Sequence, residues 1–169
     1  FWTAQVIQYS SAEWGKIVGD KLQSREQEWW KQRIDSKPRL RTYRLVKQNL
    51  TLEGYLKSDN GIGRRHLARI RSGANALRIE SGRVKKIPSG ERMCWFGCDQ
   101  VEDEYHFLVS CQIYSDLRQC VIDKVGTPAF ELSGLEIMMG TKNLELTEFV
   151  IVFIQRALHR RSLLVSQIE

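Results

Sequence analysis

Residues 94–111 read CWFGCDQVEDEYHFLVSC and contain three of the four cysteines and one of the three histidines of the 169-residue chain. Three residues separate Cys94 from Cys98, seven separate Cys98 from His106, and four separate His106 from Cys111. Zn²⁺ prefers four nitrogen or sulfur ligands in a tetrahedron, often two from a tight turn and two from the element that follows. The spacing therefore predicts a zinc ion bound by these four side chains. With no open coordination position, the ion is expected to be structural and not hydrolytic.

Two other interpretations of the same residues stay open at the level of sequence. The cysteines can be thiols of a hydrophobic core beside a buried, hydrogen-bonded His106. Alternatively, Cys94 and Cys98 can form a disulfide, which a reducing compartment disfavours. Cys120 falls on the same helical face as Leu117 and Val121, so we expect it to be a core residue and not a ligand.

The composition is typical of a soluble globular protein, with 42% hydrophobic and 27% charged residues. The longest wholly apolar run, FVIVFI at 149–154, has six residues, whereas a membrane-spanning helix needs roughly 20. The first residues, FWTAQVIQYS, lack a starting Met and the basic-then-apolar order of a secretory signal. We therefore expect a piece of a longer protein that is nuclear and/or cytoplasmic, is not secreted and does not contact a membrane.

The net charge of +6 is concentrated in one part of the chain. Residues 61–92 contain nine basic and two acidic residues, and residues 37–47 contain five basic residues and no acid. Residues 94–123 have the opposite balance, with six acids and a single arginine. A local positive field of this kind favours binding to a polyanion.

Helical patterns dominate the chain. Capping boxes at residues 10–13 and 24–27 predict helices near 11–22 and 25–35. Further helices are predicted near 39–48, briefly after Thr51, and from Arg64 onward, with residues 61–63 (Gly-Ile-Gly) as a hinge. The glycines and proline of residues 72–90 predict an irregular arm. Helices are also expected at 114–124, 135–139 and 144–164.

The predicted fold class is therefore mostly α, a small helical domain with an embedded Cys-Cys-His-Cys lobe and a possible short β hairpin at the cysteines. We expect one compact domain with four parts. These are an N-terminal helical part at 1–60, a basic helix and arm at 61–93, the zinc lobe at 94–125, and C-terminal helices at 126–169.

The ligand spacing, together with an aromatic residue after the first cysteine and a glycine before the second, resembles the C-terminal segment of LINE-type (non-LTR) retrotransposon reverse transcriptases. Three further blocks are similar to recurring blocks in the tails of such polyproteins and stand in the same order. They are KPRLRTYRLVK at 37–47, RRHLARIRSGANALRIESGR at 64–83 and EDEYHFLVSCQIYSDLR at 102–118.

The resemblance implies a zinc-stabilised nucleic-acid-binding domain that helps hold element RNA and/or target DNA during target-primed reverse transcription. Its partners would be RNA and/or DNA and other domains of the polyprotein, with no small-molecule substrate. The chain contains no paired-aspartate polymerase turn and no acidic-and-lysine set typical of a nuclease. We therefore expect no enzymatic activity from this chain, although the parent polyprotein would be an RNA-directed DNA polymerase.

Arginine suits phosphate because its planar guanidinium donates two hydrogen bonds at once. The predicted nucleic-acid contacts comprise a helical set, a set on the arm, and one aromatic residue that can stack on an unpaired base. They are Arg64, Arg65, Arg69, Arg71, Arg78, Arg83, Lys85, Lys86, Arg92 and Trp95. A merely solvated basic face, and a Trp95 that packs onto the zinc lobe, are the alternatives. Arg39, Arg41 and Arg44 form a second set that can instead pair with Glu26, Glu28 and the acidic segment at 94–123.

A hypothesis of a different class is a protein-interaction or scaffold module. In that case zinc only closes the fold, and the apolar helix at 144–164 docks on another polyprotein domain or on a second copy of the chain.

Overall fold

The structure, a computed structural model, describes residues 9–140 and 143–168. Within these residues it contains seven α-helices and no β-strand, which confirms the mostly α fold class. The helices are α1 (Ser11–Asp35), α2 (Arg41–Val46), α3 (Gly61–Arg71), α4 (Arg78–Val84), α5 (Ser115–Val125), α6 (Thr127–Gly140) and α7 (Leu144–Val165). Shorter elements are the 3-10 turns Pro38–Leu40, Gly54–Lys57, Ser89–Glu91 and Gln112–Tyr114 and a π-helical turn, His106–Ser110.

The chain divides into two compact units, Phe1–Pro38 and Arg39–Glu169. This boundary falls inside the predicted 1–60 part, and the first unit consists of α1 and its flanking residues. The predicted division into four parts of one domain stays a prediction. Residues 1–8, 141–142 and 169 of those parts lie outside the described residues.

The N-terminal unit is built on one long helix. The first predicted capping box is confirmed, because the Ser10 side chain accepts from the Glu13 backbone N–H while the Glu13 carboxylate accepts from the Ser10 N–H. The second, at Ser24, is wrong, since α1 runs through it without interruption. An N-cap residue needs extended backbone angles, and no proline or glycine near Ser24 interrupts this run of good helix formers.

Helix α7 forms the centre of the second unit, with α3 and α5 packed against it. Its residues Val150, Ile151, Phe153, Ile154 and Ala157 are each at most 1% exposed. The predicted apolar helix is thus confirmed, and its apolar face lies in the chain's own core. No described helix has the length and apolar character needed to cross a membrane.

Helix α3 begins earlier than predicted, at Gly61, and Asn60 caps it by accepting a hydrogen bond from the Gly63 N–H at 2.9 Å. The hinge predicted at residues 61–63 is therefore wrong. A Cβ on Gly63 would lie 2.1 Å from Cγ2 of Ile151. The glycine allows α3 to approach α7 closely, and it does not serve as a flexible joint.

The irregular arm predicted at 72–90 is wrong in part, because α4 forms within it. Leu77 is fully buried and Ile79 is 8% exposed, so packing against the core offsets the cost of the glycine inside this short helix. The possible β hairpin is reduced to a single antiparallel bridge between Met93 and Val101. Helix α6 is longer than the predicted 135–139 and has non-helical backbone angles at Ser133.

Candidate metal centre

A tight turn positions the first two cysteines. The Cys94 N–H donates to the Gln100 carbonyl at 2.8 Å, next to the bridge between Met93 and Val101. Between Cys94 and Gln100 the chain reverses through two residues with left-handed backbone angles, Gly97 (φ 69°) and Asp99 (φ 49°). Glycine tolerates left-handed backbone angles best, and aspartate adopts them more often than most other residues do. The local sequence therefore builds the turn that brings Cys98 back toward Cys94.

The π-helical turn His106–Ser110 positions the other two side chains. Asp103 caps its start, since its Oδ1 accepts from the His106 N–H at 2.8 Å, and the Cys111 N–H closes it on the His106 carbonyl at 2.7 Å. The buried Arg118 donates to the Leu108 and Cys111 carbonyls at 2.7 and 2.9 Å. A π turn is wider than an α turn, and here it carries His106 at its start and leads directly to Cys111.

The structure brings all four predicted ligands together. The three Sγ atoms and one ring nitrogen lie within 4.8 Å of one another, and Sγ of Cys98 is 3.8 Å from Sγ of Cys111. A tetrahedral ion with metal–sulfur bonds of about 2.3 Å would place its sulfur ligands roughly 3.8 Å apart. Cys94, His106 and Cys111 are buried and Cys98 is half-buried. The group can hold a metal ion, and its four donors leave no position for a substrate.

The hydrogen bonds of His106 prepare one nitrogen for a metal. Its Nδ1 lies 2.8 Å from Oε1 of Gln100 and 3.2 Å from Oγ of Ser110. Because an amide oxygen only accepts, the proton belongs on Nδ1 and the lone pair on Nε2. Nε2 is buried and has no hydrogen-bond partner in the part of the chain that the structure describes. An unsatisfied buried acceptor beside three thiols fits a metal ligand whose tautomer an outer hydrogen bond selects.

The three thiols differ in acidity. Hydrogen bonding to Cys111 and burial raise the pKa of Cys94 to about 12. Burial raises the pKa of Cys98, while the hydrogen bond from the Cys94 thiol lowers the pKa of Cys111. Backbone N–H groups of Phe96, Gln112 and Ile113 also favour the thiolate forms. Without a cation, burial and the neighbouring thiols therefore oppose ionisation of Cys94 and Cys98, so metal binding would release protons from these two thiols.

A buried ion pair lies next to the metal-binding loop. Both oxygens of the Glu102 carboxylate accept from Arg161, at 2.6 and 2.7 Å, and Oε2 also accepts from the Arg78 backbone N–H at 2.8 Å. Glu102 is 1% exposed and Arg161 is 7% exposed. The pair links the loop to the start of α4 and to the last turns of α7. Sequence analysis missed Arg161, since no local pattern joins residues so far apart.

Two more acids of the second unit, Glu80 and Glu104, are buried. Glu104 accepts from Arg41 at 2.7 and 2.8 Å, from Thr42 at 3.0 Å and from Asn75 at 3.1 Å. Glu80 accepts from Arg41 at 2.7 Å and from Arg83 at 3.0 Å. The alternative pairing of Arg41 with the acidic segment is thereby confirmed. The buried carboxylates of this region are thus each paired with at least one arginine.

Several of the side chains predicted to contact nucleic acid interact instead with groups of the protein itself. Arg71 is 1% exposed, its guanidinium lies 5.8 and 5.2 Å from the ring centroids of Tyr43 and Tyr55, and it pairs with Glu53 at 3.0 Å. It is not part of any exposed basic surface, and its prediction as a phosphate contact is wrong because the aromatic rings and the carboxylate enclose its charge.

Three other predicted contact residues are half-buried arginines that interact with backbone carbonyls or with an aromatic ring. Arg64 donates to the Leu56 and Ser58 carbonyls at 3.1 and 2.8 Å, and Arg92 donates to the Ile79 and Ile87 carbonyls at 2.7 and 2.9 Å. The guanidinium of Arg78 lies 4.3 Å from the ring centroid of Trp95. One face of the half-buried Trp95 is therefore covered, which limits base stacking to its other face.

Four predicted contacts remain exposed and have no ion-pair partner among the described residues: Arg65 and Arg69 on α3, and Lys85 and Lys86 after α4. Arg83 is 47% exposed at its side chain and pairs with Glu80.

Cys120 lies outside the candidate metal centre, on α5, and its thiol donates to the Leu117 carbonyl at 3.2 Å. It is half-buried against the core.

The fold and the site together define a mostly helical protein with a candidate Cys-Cys-His-Cys metal centre. Comparison with protein-family models, curated proteins and solved structures finds no match.

Proposed function

We propose that the metal is Zn²⁺ and that its role is structural. Thiolate and imidazole are the donors that Zn²⁺ prefers, and four of them complete a tetrahedral site. The buried, unpartnered Nε2 of His106 and the 3.8 Å spacing between the sulfurs of Cys98 and Cys111 support this assignment. The ion would clamp the turn at 94–98 to the π turn and so hold the loop that carries Glu102.

We propose that the protein binds nucleic acid and performs no chemistry of its own. The observation that carries this proposal is the distribution of charge. Glu80, Glu102 and Glu104 are at most 3% exposed and engaged with arginines or other donors, whereas Arg65 and Arg69 are exposed. Arg65 and Arg69 therefore form a positive patch on the outer face of α3 that these buried carboxylates do not neutralise, and such a patch can displace condensed counterions from a phosphate backbone.

The sequence resemblance supports a more specific proposal, that this is the C-terminal domain of a non-LTR retrotransposon reverse transcriptase. In that setting it would help hold element RNA and/or target DNA during target-primed reverse transcription, alongside other polyprotein domains in a nuclear and/or cytoplasmic ribonucleoprotein. The quoted sequence blocks support this origin, and the charge distribution supports the binding role.

The test is a salt titration of binding to single-stranded RNA, single-stranded DNA and duplex DNA by fluorescence anisotropy. The double variant Arg65→Gln/Arg69→Gln is compared with Lys16→Gln/Lys21→Gln, which removes the same charge from exposed positions on α1. We expect the α3 variant to bind more weakly and its slope of log affinity against log salt to fall by about 2. The α1 variant should retain the wild-type slope.

Equal behaviour of the two double variants would exclude α3 as the binding surface. Absence of binding by the wild-type protein to every probe, combined with concentration-dependent self-association on gel filtration, would favour the protein-interaction hypothesis instead.

A further inference from the structure

A cleft lies between α3 and the C-terminal half of α7. Its volume is about 780 Å³, within the range of roughly 300–1,000 Å³ typical of sites for small organic groups. Helix α3 contributes Ile62, His66, Arg69 and Ile70 to its lining. Helix α7 contributes Leu158, His159 and Ser162, and the segment that connects α3 to α4 completes the lining.

The chemistry of the lining selects a particular kind of ligand. Ile62, Ile70 and Leu158 supply apolar wall, and Arg69 supplies a positive charge with no ion-pair partner among the described residues. None of the lining residues within the described ranges carries a carboxylate. An anion that also has an apolar, planar part therefore fits better than a cation or a purely polar anion.

The two walls also carry groups that stack on nucleobases. His66 comes from α3 and His159 from α7, and imidazole rings and guanidinium planes are both used for stacking on unpaired bases. Burial and the nearby charges of Arg69 and Arg65 lower the pKa of His66, which favours its neutral ring. Its Nδ1 is buried without a hydrogen-bond partner among the described residues.

We propose that this cleft accepts one unpaired nucleotide of a bound nucleic-acid strand, with the base between the α3 and α7 walls and its phosphate at Arg69. The inference rests on the proposed nucleic-acid binding and deepens it, since it specifies single-stranded nucleic acid as the ligand. A base paired within a duplex cannot enter a concave site unless it is extruded from the stack. The flat basic face of α3 alone would not discriminate in this way.

The test uses the full chain and a cleft-filling variant, Ser162→Phe. Ser162 is exposed and lines the cleft, so a phenyl ring there occupies space without entering the core. The matched control is Leu163→Phe, at the next position of α7, where the side chain is 54% exposed and does not line the cleft. Circular dichroism and thermal unfolding confirm that both variants are folded.

Anisotropy titrations use a 12-nucleotide single-stranded oligonucleotide and the duplex of the same sequence. We expect Ser162→Phe to weaken single-strand binding about tenfold, as for loss of one stacked base, and to leave duplex binding within about twofold. Leu163→Phe should match the wild type on both probes. Photocrosslinking of a strand that carries 4-thiouridine, followed by peptide mass spectrometry, should place adducts on residues of the cleft.

The outcomes separate the two proposals. If Arg65→Gln/Arg69→Gln weakens binding but Ser162→Phe does not, the cleft proposal is overturned and the nucleic-acid proposal stands. If neither changes binding, the cleft proposal is overturned and α3 is excluded as the binding surface, whereas failure of the wild-type protein to bind any probe overturns the nucleic-acid proposal itself. Adducts confined to Trp95 and its neighbours would overturn the cleft, as would displacement of the strand by free adenosine monophosphate at equal affinity, because the cleft would then be a free-nucleotide site.

Discussion

At the scale of single residues, the clearest contrast is between the four cysteines. Cys94, Cys98 and Cys111 lie with His106 in one group whose ligand atoms are within 4.8 Å of each other. Cys120 donates to a carbonyl of its own helix and takes no part. The residue type is the same, but only three of the four thiols face the candidate metal centre.

This contrast gives a direct prediction. Cys111→Ser should reduce bound zinc from about one ion per chain to nearly none, since a hydroxyl is a poor replacement for a thiolate ligand. The melting temperature should fall with it, because metal binding contributes folding free energy. Mass-spectrometric metal analysis and thermal unfolding measure the two effects. Cys120→Ser, the control, should keep its zinc, and full zinc in Cys111→Ser would rule out the assigned ligand set.

The neighbouring arginines of α7 form a second contrast. Arg161 pairs with Glu102 in the interior, whereas the adjacent Arg160 forms a bidentate pair with Asp116, at 2.6 and 2.7 Å, near the surface. The hydrogen bonds that Asp116 accepts from Arg160 lower the pKa of Asp116 to about 2. The exposed pair is screened by solvent, and the buried one is not.

We therefore predict unequal costs of removing these two charges. Arg161→Met leaves the Glu102 carboxylate buried without its partner and should lower the free energy of unfolding by about 3–5 kcal/mol. Arg160→Gln should change it by about 1 kcal/mol or less. Urea denaturation at neutral pH measures both values. Similar losses in the two variants would show that Glu102 reaches solvent when Arg161 is absent.

At the scale of elements, the contact between α3 and α7 depends on a residue without a side chain. Gly63 is buried and faces Ile151, whereas Gly61, two positions earlier in the same helix, has open space around it. Both glycines are within the first turn of α3, so backbone propensity alone does not distinguish them.

Alanine substitution is expected to change the stability of the protein in opposite directions at Gly63 and at Gly61. Gly63→Ala places a methyl group 2.1 Å from Ile151 Cγ2 and should destabilise the protein by about 1–3 kcal/mol through overpacking. Gly61→Ala should be neutral or stabilising by up to about 1 kcal/mol, because alanine has the higher helix propensity. Thermal and urea unfolding report the difference. A stable Gly63→Ala variant would mean that α3 can shift away from α7 at little cost.

At the scale of the whole molecule, the candidate metal centre, the internal ion pairs and the apolar core all belong to the unit Arg39–Glu169. The unit contains enough chain to bury a core by itself. The proposed functions also use residues of this unit alone.

We predict that a chain of residues 39–169 folds and binds zinc without the N-terminal unit. Metal stoichiometry should match that of the full chain, and unfolding should remain a single cooperative transition by circular dichroism. A chain that ends at residue 158 is the control, since it lacks Arg161 and the last turns of α7, and it should fail to fold. A 39–169 chain that does not fold would assign α1 a necessary role in stability.

Much of this protein follows from its sequence alone, because the determining forces are local. Ligand spacing and a glycine that tolerates left-handed angles build the turn at 94–98, and apolar periodicity defines α5 and α7. Other features required the tertiary structure. The positions of Glu102, Glu104 and Arg71 are set by partners distant in the sequence, and α4 is stabilised by burial. A charged residue in a sequence is equally compatible with exposure to solvent and with pairing to a buried partner. Only the packed chain therefore determines which arginine side chains remain exposed and able to contact a phosphate.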